Sequence, residues 1–224
     1  PIARTVEDAA RTLEAMAGYE PADPVTARGD RRVPDGGYAE GLDADGLEGA
    51  RIGVARQFFG LRDDESAPAD AAERVTAVVE DALDDLDAAG ATVVDPVDVV
   101  DRTLLESARV LEYEFARDFD AYLDELGDAA PCNSLAEVVA SGEVHPSVAA
   151  RFEGTAILET DADALDENTG YLRSLRRREA IRDATLARMA ADDLDALLYP
   201  PSRIPPVEIP DNQPFAEMNC ELAA

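Results

Sequence analysis

The sequence predicts a protein of the α/β class, with a mixed β-sheet flanked by helices. A short β-branched run, ARIGVARQF at 50–58, precedes a helical stretch, and a second such run, ATVVDPV, follows at 91–97. A third strand signal, ALLY at 196–199, comes late in the chain. Strand, helix and strand joined by short turns form a βαβ unit, whose crossover is almost always right-handed and whose strands run parallel. We therefore expect a parallel βαβ unit over residues 50–97.

The helix of this unit is indicated by the spacing of its apolar residues. They recur at intervals of three and four, as one face of an α-helix requires, and they are Val75, Val78, Val79, Ala82, Leu83 and Leu86. Gly90 lies just beyond the last of them, where a glycine commonly ends a helix. The run at 196–199 predicts a buried strand that breaks at Pro200 into an extended loop.

The first residues have the signature of an amphipathic helix. Thr5 is a typical N-cap, Asp8 follows three positions later, and Gly18 is a typical stop. The apolar positions between them share one face, which we expect to pack against a sheet: Val6, Ala9, Ala10, Leu13 and Ala17. Residues 19–49 are rich in proline, glycine and aspartate and predict a long surface connection around the turn-prone PDGG at 34–37.

Helical segments are predicted over most of residues 102–191. A helix over 102–126 closes at Gly127 and carries Leu104, Ala108, Leu111, Phe115, Phe119, Tyr122 and Leu126. Shorter helices are expected near 134–141 and 147–158. A long helix near 166–191 bears Arg173, Arg176, Arg177, Arg178, Arg182 and Arg188. Its arginines are interpreted as a solvated face that pairs with acidic residues four positions away; a site for an anionic ligand is the alternative.

The charge of the chain excludes several classes of partner. It carries 49 acidic and 20 basic residues, a net charge of -29, and every basic residue is an arginine. Such a surface repels nucleic acids and anionic membranes, and it repels itself unless salt screens it. We interpret the acidity as adaptation to a salt-rich cytoplasm; an acidic partner-binding face is the alternative. Cys132 and Cys220 lack a CxxC spacing, and no apolar run is long enough to span a membrane, which favours a reduced, cytoplasmic location.

Other catalytic and binding motifs are not supported. His145 is the single histidine, lies beside a proline, and has no GxSxG partner motif. The acidic clusters have the wrong spacing for an EF-hand, and they comprise Asp84, Asp85, Asp87, Asp161, Asp163 and Asp166. The sequence contains neither a Walker A motif nor GxGxxG, so nucleotide binding is not supported.

Three stretches resemble the amidase signature family. PIARTVEDAARTLEAMAGYEPADPVTA at 1–27 is similar to a specific motif that ends the family's signature region. YLRSLRRREAIRDATLARMAADDLDALLYPPS at 171–202 resembles its arginine-rich helix and the strand after it, and DNQPFAEMNCELAA at 211–224 resembles the lead-in to a later strand. Residues 28–165 match only in their βαβ layout. The resemblance implies a partial amidase-signature domain over 1–224.

The family hydrolyses carboxamides with a serine, a second serine in a cis peptide, and a lysine. The resemblance implies that these groups lie upstream of residue 1, and the chain contains no lysine and no glycine-rich serine loop. We therefore expect the parent protein to be an amidase that acts on a small-molecule carboxamide, and this part to be inactive alone, with no catalytic residue of its own. Whether it forms a homo-oligomer is left open.

The resemblance also implies one wall of a substrate pocket. Its residues fall in two segments: Tyr199, Pro201, Ser202 and Arg203 in the first, and Phe215, Met218 and Asn219 in the second. Pro201 stands where the family more often has a threonine or serine, which removes a hydroxyl. Two alternatives remain. One is the amide-hydrolysing component of a tRNA-dependent glutaminyl/asparaginyl amidotransferase, although the tail lacks the DxFTVPAN-like string expected there. The other is a non-catalytic acidic α/β module that binds a partner.

Overall fold

The computed structural model describes residues 2–29, 31–63, 65, 67–153, 156–158 and 162–206. Its helices are α1 Val6–Met16, α2 Ala71–Ala88, α3 Arg102–Glu106, α4 Leu111–Leu126, α5 Leu135–Ala140, α6 Pro146–Glu153 and α7 Thr169–Ala191. Its strands are β1 Arg51–Val54, β2 Thr92–Val94 and β3 Ala196–Leu198. Short 3-10 turns lie at Pro24–Gly29, Ala39–Gly41, Arg56–Phe58, Gly127–Ala129, Ala156–Leu158 and Ala162–Glu167. No helix in these ranges is both long enough and apolar enough to cross a membrane.

The three strands form a sheet in the order β2-β1-β3. β1 and β3 are parallel, with Ile52 opposite Ala196 and Val54 opposite Leu198. On the other side of β1, the Val97 amide just beyond β2 donates to the Val54 carbonyl at 2.8 Å. The predicted α/β class, with a βαβ unit and flanking helices, is confirmed.

Gly53 occupies a close-packed position of the sheet. A Cβ atom built there would lie 2.6 Å from Leu194 Cδ1, 3.0 Å from Leu197 Cδ2 and 3.2 Å from Val97 Cγ2. Real Cβ atoms do not approach carbon this closely, because protein interiors are close-packed. The side chains around β1 therefore pack over its centre only because residue 53 has none.

Two strand predictions need correction. β1 ends at Val54, not near 58: Ala55 makes one more hydrogen bond, to the Leu198 carbonyl at 3.0 Å, and the chain then turns so that Phe58, 3% exposed, packs into the core. β3 is not fully buried, because it pairs on one side with β1 and Ala196 is exposed. Among the described strands β3 lies at the edge of the sheet, which agrees with its short length and exposure.

The chain divides into two units, the first made of Pro1–Arg51 and Asp81–Val93. Within it, α1 begins as predicted, with Thr5 Oγ1 accepting from the Asp8 amide at 3.0 Å. On the predicted apolar face of α1, Val6 is 72% exposed and Leu13 is 39% exposed. The packing of this face against a sheet stays a prediction. The predicted turn at 34–37 is present, with the Gly37 amide donating to the Pro34 carbonyl at 2.8 Å.

The second unit is Ile52–Glu80 and Val94–Ala224, and its described residues form two hydrophobic clusters. The larger is formed by Ala55, Phe58, Val97, Val99, Leu105, Ala108, Ile181 and Leu194. The smaller is formed by Leu135, Phe152 and Ile157, with Phe115 and Phe119 packed against it. Each large apolar side chain buried in this way contributes about 1.5–3 kcal/mol.

The predicted helix over 102–126 is two helices, α3 and α4, which is a further correction. The break has a tertiary cause. In a continuous helix, the Ser107 carbonyl would accept from the amide four positions on. Here it accepts instead from Arg177 Nη1 at 3.1 Å and from Ser174 Oγ at 3.4 Å, both on α7. Ala108, at the break, is buried in the larger cluster.

Candidate functional site

The candidate site lies at the carboxyl edge of the parallel sheet. β1 is the central strand of the sheet. The next strand in the sequence, β2, lies on one side of it, and β3 lies on the other side. The carboxyl ends of β1 and β3 therefore meet at a point where the strand order reverses. In open α/β sheets, ligands bind in the crevice outside such a point.

A cavity of about 140 Å³ lies beyond these strand ends. The residues that line it come from the segment after β1, from α3 and from the segment after β3: Gln57, Phe58, Arg62, Arg102, Leu105, Glu106 and Arg203. An apolar cavity of about 150 Å³ holds a benzene-sized molecule. The space therefore suits one small group of a ligand.

The apolar part of the lining is continuous with the hydrophobic core. Phe58 and Leu105 are 3% and 6% exposed and belong to the larger cluster. Tyr199, just after β3, packs on Phe58 with a distance of 5.0 Å between the ring centroids. The partly buried Tyr199 ring thus supports the Phe58 ring at the cavity, and aromatic pairs of this kind contribute about 0.5–1.5 kcal/mol beyond their buried area.

A buried ionic cluster stands behind the polar part of the lining. Glu65 Oε1 accepts from Arg203 Nη1 at 2.6 Å and lies 3.1 Å from Arg62 Nη2, while Glu65 Oε2 accepts from the Arg62 amide at 2.9 Å. The Glu65 side chain is fully buried and that of Arg203 is 3% exposed. Hydrogen bonds of this charge-assisted kind fix both partners in place. Glu65 therefore ties the segment after β3 to the turn at 62–65.

The rim of the cavity is formed by α3. Asp101 caps this helix, its Oδ1 accepting from the Thr103 amide at 2.8 Å. Arg102 Nε donates to Glu106 Oε1 at 2.8 Å, one turn further along the helix. Both side chains are half exposed, 50% and 58%. The cap and this pair give the rim a defined arginine and carboxylate.

The polar groups of the described lining are one glutamine, three arginines and one glutamate. In the described part of the cavity wall there is no serine, threonine, cysteine, lysine or histidine. A nucleophile with its activating base is needed for covalent catalysis of acyl transfer. The described lining does not contain that combination of groups.

The predicted pocket residues are placed in different surroundings. Arg203 lines the cavity, and Tyr199 lies behind Phe58. Ser202 Oγ donates to the Ile204 carbonyl at 2.9 Å, and Pro201 is exposed. The remaining three predicted residues lie outside the described residues: Phe215, Met218 and Asn219. Contact of any of the seven with a substrate stays a prediction.

Sequence reasoning missed most of the lining. Gln57 and Arg62 follow β1 by a few positions, and Arg102 and Glu106 are a surface-type pair four apart. None of these belongs to a motif, and they meet only because β1, α3 and β3 converge. The one usable signal was position, since segments that follow parallel strands gather at one edge of the sheet.

Comparison with known proteins agrees with this fold. A sequence model of the amidase family matches residues 1–222. A probable amidase of Arabidopsis thaliana is 34% identical over 143 residues, which is 64% of this chain and 26% of that protein. One component of the glutamyl-tRNA(Gln) amidotransferase of Pseudomonas fluorescens is 37% identical over 93 residues, which is 42% of this chain and 17% of that one.

Solved structures give the same result. The native peptide amidase of Stenotrophomonas maltophilia superposes with a TM-score of 0.59 at 28% identity, over 88% of this chain and 40% of that chain. The chain thus spans about a quarter or less of the curated relatives named above. The match of the family along nearly the whole sequence is decisive, and the chain belongs to the amidase family.

Proposed function

We propose that the protein containing this chain hydrolyses the carbon–nitrogen bond of a carboxamide through a serine acyl-enzyme. In this proposal the chain supplies scaffold and one wall of the substrate pocket. The observation that carries the proposal is the family match over residues 1–222. The peptide amidase neighbour supports the same reaction class, because its name specifies an amide substrate.

The bond-breaking groups are proposed to lie outside residues 1–224. A serine hydroxyl becomes an effective nucleophile when a base removes its proton, and the oxyanion that forms needs aligned N–H donors. The family's base is a lysine, and this chain has none. Residues 1–224 alone are accordingly proposed to be inactive, and no cofactor is required.

The cavity at the end of β1 and β3 is proposed to hold the part of the substrate beyond the amide. Phe58 and Leu105 would contact its apolar surface, and Arg203 would contact its polar groups. The other predicted pocket residues belong to the same proposal: Tyr199, Pro201, Ser202, Phe215, Met218 and Asn219. Small-molecule carboxamides fit a space of about 140 Å³ better than a macromolecule does.

A second candidate is the amide-hydrolysing component of a glutamyl-tRNA amidotransferase, in which hydrolysis supplies ammonia to a companion protein. The Pseudomonas fluorescens relative favours it. The tail NQPFAEMNCELAA lacks the string expected of that component, so the stand-alone amidase ranks first. The net charge of -29 supports a salt-rich cytoplasm as the site of action and disfavours binding to nucleic acid in either case.

The experiment is ammonia release by the full-length protein at high salt. Release from a simple carboxamide without other proteins supports the amidase. Release only from glutamine, and only with companion proteins, would favour the amidotransferase. If neither mixture releases ammonia, both proposals fail.

A further inference from the structure

The side-chain amide of Gln57 makes two hydrogen bonds to the backbone of the segment that leads into α3. Its Oε1 accepts from the Val99 amide at 2.8 Å, and its Nε2 donates to the Val100 carbonyl at 2.9 Å. Both polar groups of the side chain are therefore used within the protein. The side-chain amide of Gln57 makes the two hydrogen bonds that the backbone of a neighbouring strand would otherwise make.

The backbone cannot make these bonds itself, because β1 has turned away. The last backbone bond on this side joins the Val97 amide to the Val54 carbonyl. After that the chain enters the turn Arg56–Phe58, while the other segment continues through Val99, which is buried in the core. Gln57 spans the resulting gap. Without it, the part-buried Val99 amide and Val100 carbonyl would lose these partners, which is costly where water does not replace them.

The segment that Gln57 binds, Val99 and Val100, leads directly into α3, which forms the rim of the cavity. Asp101, one residue after Val100, caps α3, and α3 carries Arg102, Leu105 and Glu106 to the cavity. Any shift of Val100 therefore moves the cap and three lining side chains together. Gln57 itself also lines the cavity, so the side chain that fixes the position of α3 lies next to α3 in the cavity wall.

The composition of the chain agrees with a specific need for an amide at this position. The sequence has 49 aspartates and glutamates but only two glutamines, Gln57 and Gln213. A carboxylate could accept from the Val99 amide, but it could not donate to the Val100 carbonyl. Only a group that accepts and donates side by side satisfies both.

We propose that Gln57 is a positioning residue for the substrate cavity: through Val99 and Val100 it fixes α3, and thereby sets how tightly the substrate is bound. The proposal rests on the proposed amide hydrolysis. It predicts an effect on binding rather than on bond breaking, because α3 contributes to the lining and no reactive group.

The test uses Gln57→Met in the full-length protein, since methionine matches glutamine in length and lacks both polar groups. Assayed well below the unfolding temperature, KM for a carboxamide should rise about tenfold while kcat stays within about twofold of wild type. A residue that only stabilised the fold would lower the unfolding temperature and leave KM unchanged. Thr103→Ala is the matched control on the same helix, because Thr103 is exposed and lies outside the lining.

A double variant tests whether the effect passes through α3. If Gln57 acts by placing Arg102, then Gln57→Met should add little to KM once Arg102→Ala is present. Full additivity would overturn the proposal, as would a Gln57→Met variant with wild-type KM. If that variant does not fold, Gln57→Glu keeps the acceptor for Val99 and loses the donor, and an unchanged KM there would overturn it too. Absence of hydrolysis by wild type would overturn the proposed function and this inference with it, whereas an active wild type with unaffected variants overturns the inference alone.

Discussion

Arg203 and Glu65 lie 138 positions apart in the sequence, yet Arg203 Nη1 is 2.6 Å from Glu65 Oε1. Their side chains are 3% and 0% exposed. Ions outside the protein screen such a buried pair far less than an exposed one. The pair therefore joins the segment after β3 to the segment after β1. We expect it to persist at the high salt concentration to which this acidic chain is interpreted to be adapted.

Replacing Glu65 with glutamine should strongly destabilise the protein. The change removes the Glu65 charge from the buried pair with Arg203, and breaking a buried pair typically costs about 3–5 kcal/mol in the free energy of unfolding. Denaturant titration of the full-length protein measures it. Glu7→Gln is the matched control, because the Arg11–Glu7 pair is exposed, 63% and 58%, and its loss should have little effect. Equal effects of the two substitutions would contradict the assignment.

A methyl group added at residue 53 should also destabilise the protein. Gly53→Ala places a carbon 2.6 Å from Leu194 Cδ1, and the surrounding side chains must shift to admit it. Overpacking of this kind costs about 1–3 kcal/mol. Gly41→Ala is the control, since nothing lies within 4 Å of a Cβ there. If the thermal unfolding temperatures of the two variants match, the packing around β1 is looser than described.

Acid should weaken the contact between Arg56 and Asp95. Arg56 Nε donates to Asp95 Oδ1 at 2.8 Å, and this hydrogen bond holds the pKa of the Asp95 carboxyl below its ordinary value. A carboxyl whose pKa is lower in the folded than in the unfolded protein stabilises the folded state. This stabilisation is complete at pH values above the ordinary pKa of about 4, and it is lost as the pH falls through the pKa of the folded state.

Asp95→Asn should accordingly lower the free energy of unfolding at neutral pH, by an amount that shrinks as the pH falls below about 4. The effect is modest, because Asp95 and Arg56 are 29% and 31% exposed. Arg56→Met should show the same trend and a larger loss, since Arg56 also pairs with Glu80 and lies 4.8 Å from the centre of the Phe59 ring. A difference from wild type that is constant between pH 3 and 7 would be inconsistent with this account.

Salt should stabilise the protein. With a net charge of -29, the folded chain repels itself, and counter-ions reduce that repulsion. The free energy of unfolding should therefore rise when potassium chloride is increased from about 0.1 M to the molar range, where the screening length falls to about 3 Å. If stability is flat or declines over that range, the interpretation of the charge as salt adaptation is wrong.

The parts of the fold that sequence predicts are those with local causes. α1 and α4 end near Gly18 and Gly127, and α1 begins after its cap Thr5, because caps and stops act over a few residues. The break after α3 was not predictable in this way. It depends on Arg177, seventy positions away, which donates a hydrogen bond to the Ser107 carbonyl. A hydrophobic period alone does not reveal such a competitor.

In the candidate site, too, most of the residues whose contacts are made by distant segments were not predicted. Arg203 was expected in a pocket wall from the resemblance to the amidase signature family, and it does line the cavity. Gln57 and Glu65 were not expected, because Gln57 bonds to the backbone of Val99 and Val100 and Glu65 bonds to the buried Arg203, all in distant segments. Spacing in the sequence carries no signal of such contacts. Geometry identifies them because it brings the ends of β1 and β3 together.

The central claim is that the bond-breaking groups lie outside residues 1–224, while this chain provides scaffold and a binding wall. Ammonia release from a carboxamide, measured at high salt for the full-length protein and for purified soluble residues 1–224, tests it most directly. The account predicts release by the full-length protein and none by residues 1–224. Turnover by residues 1–224 alone would contradict it.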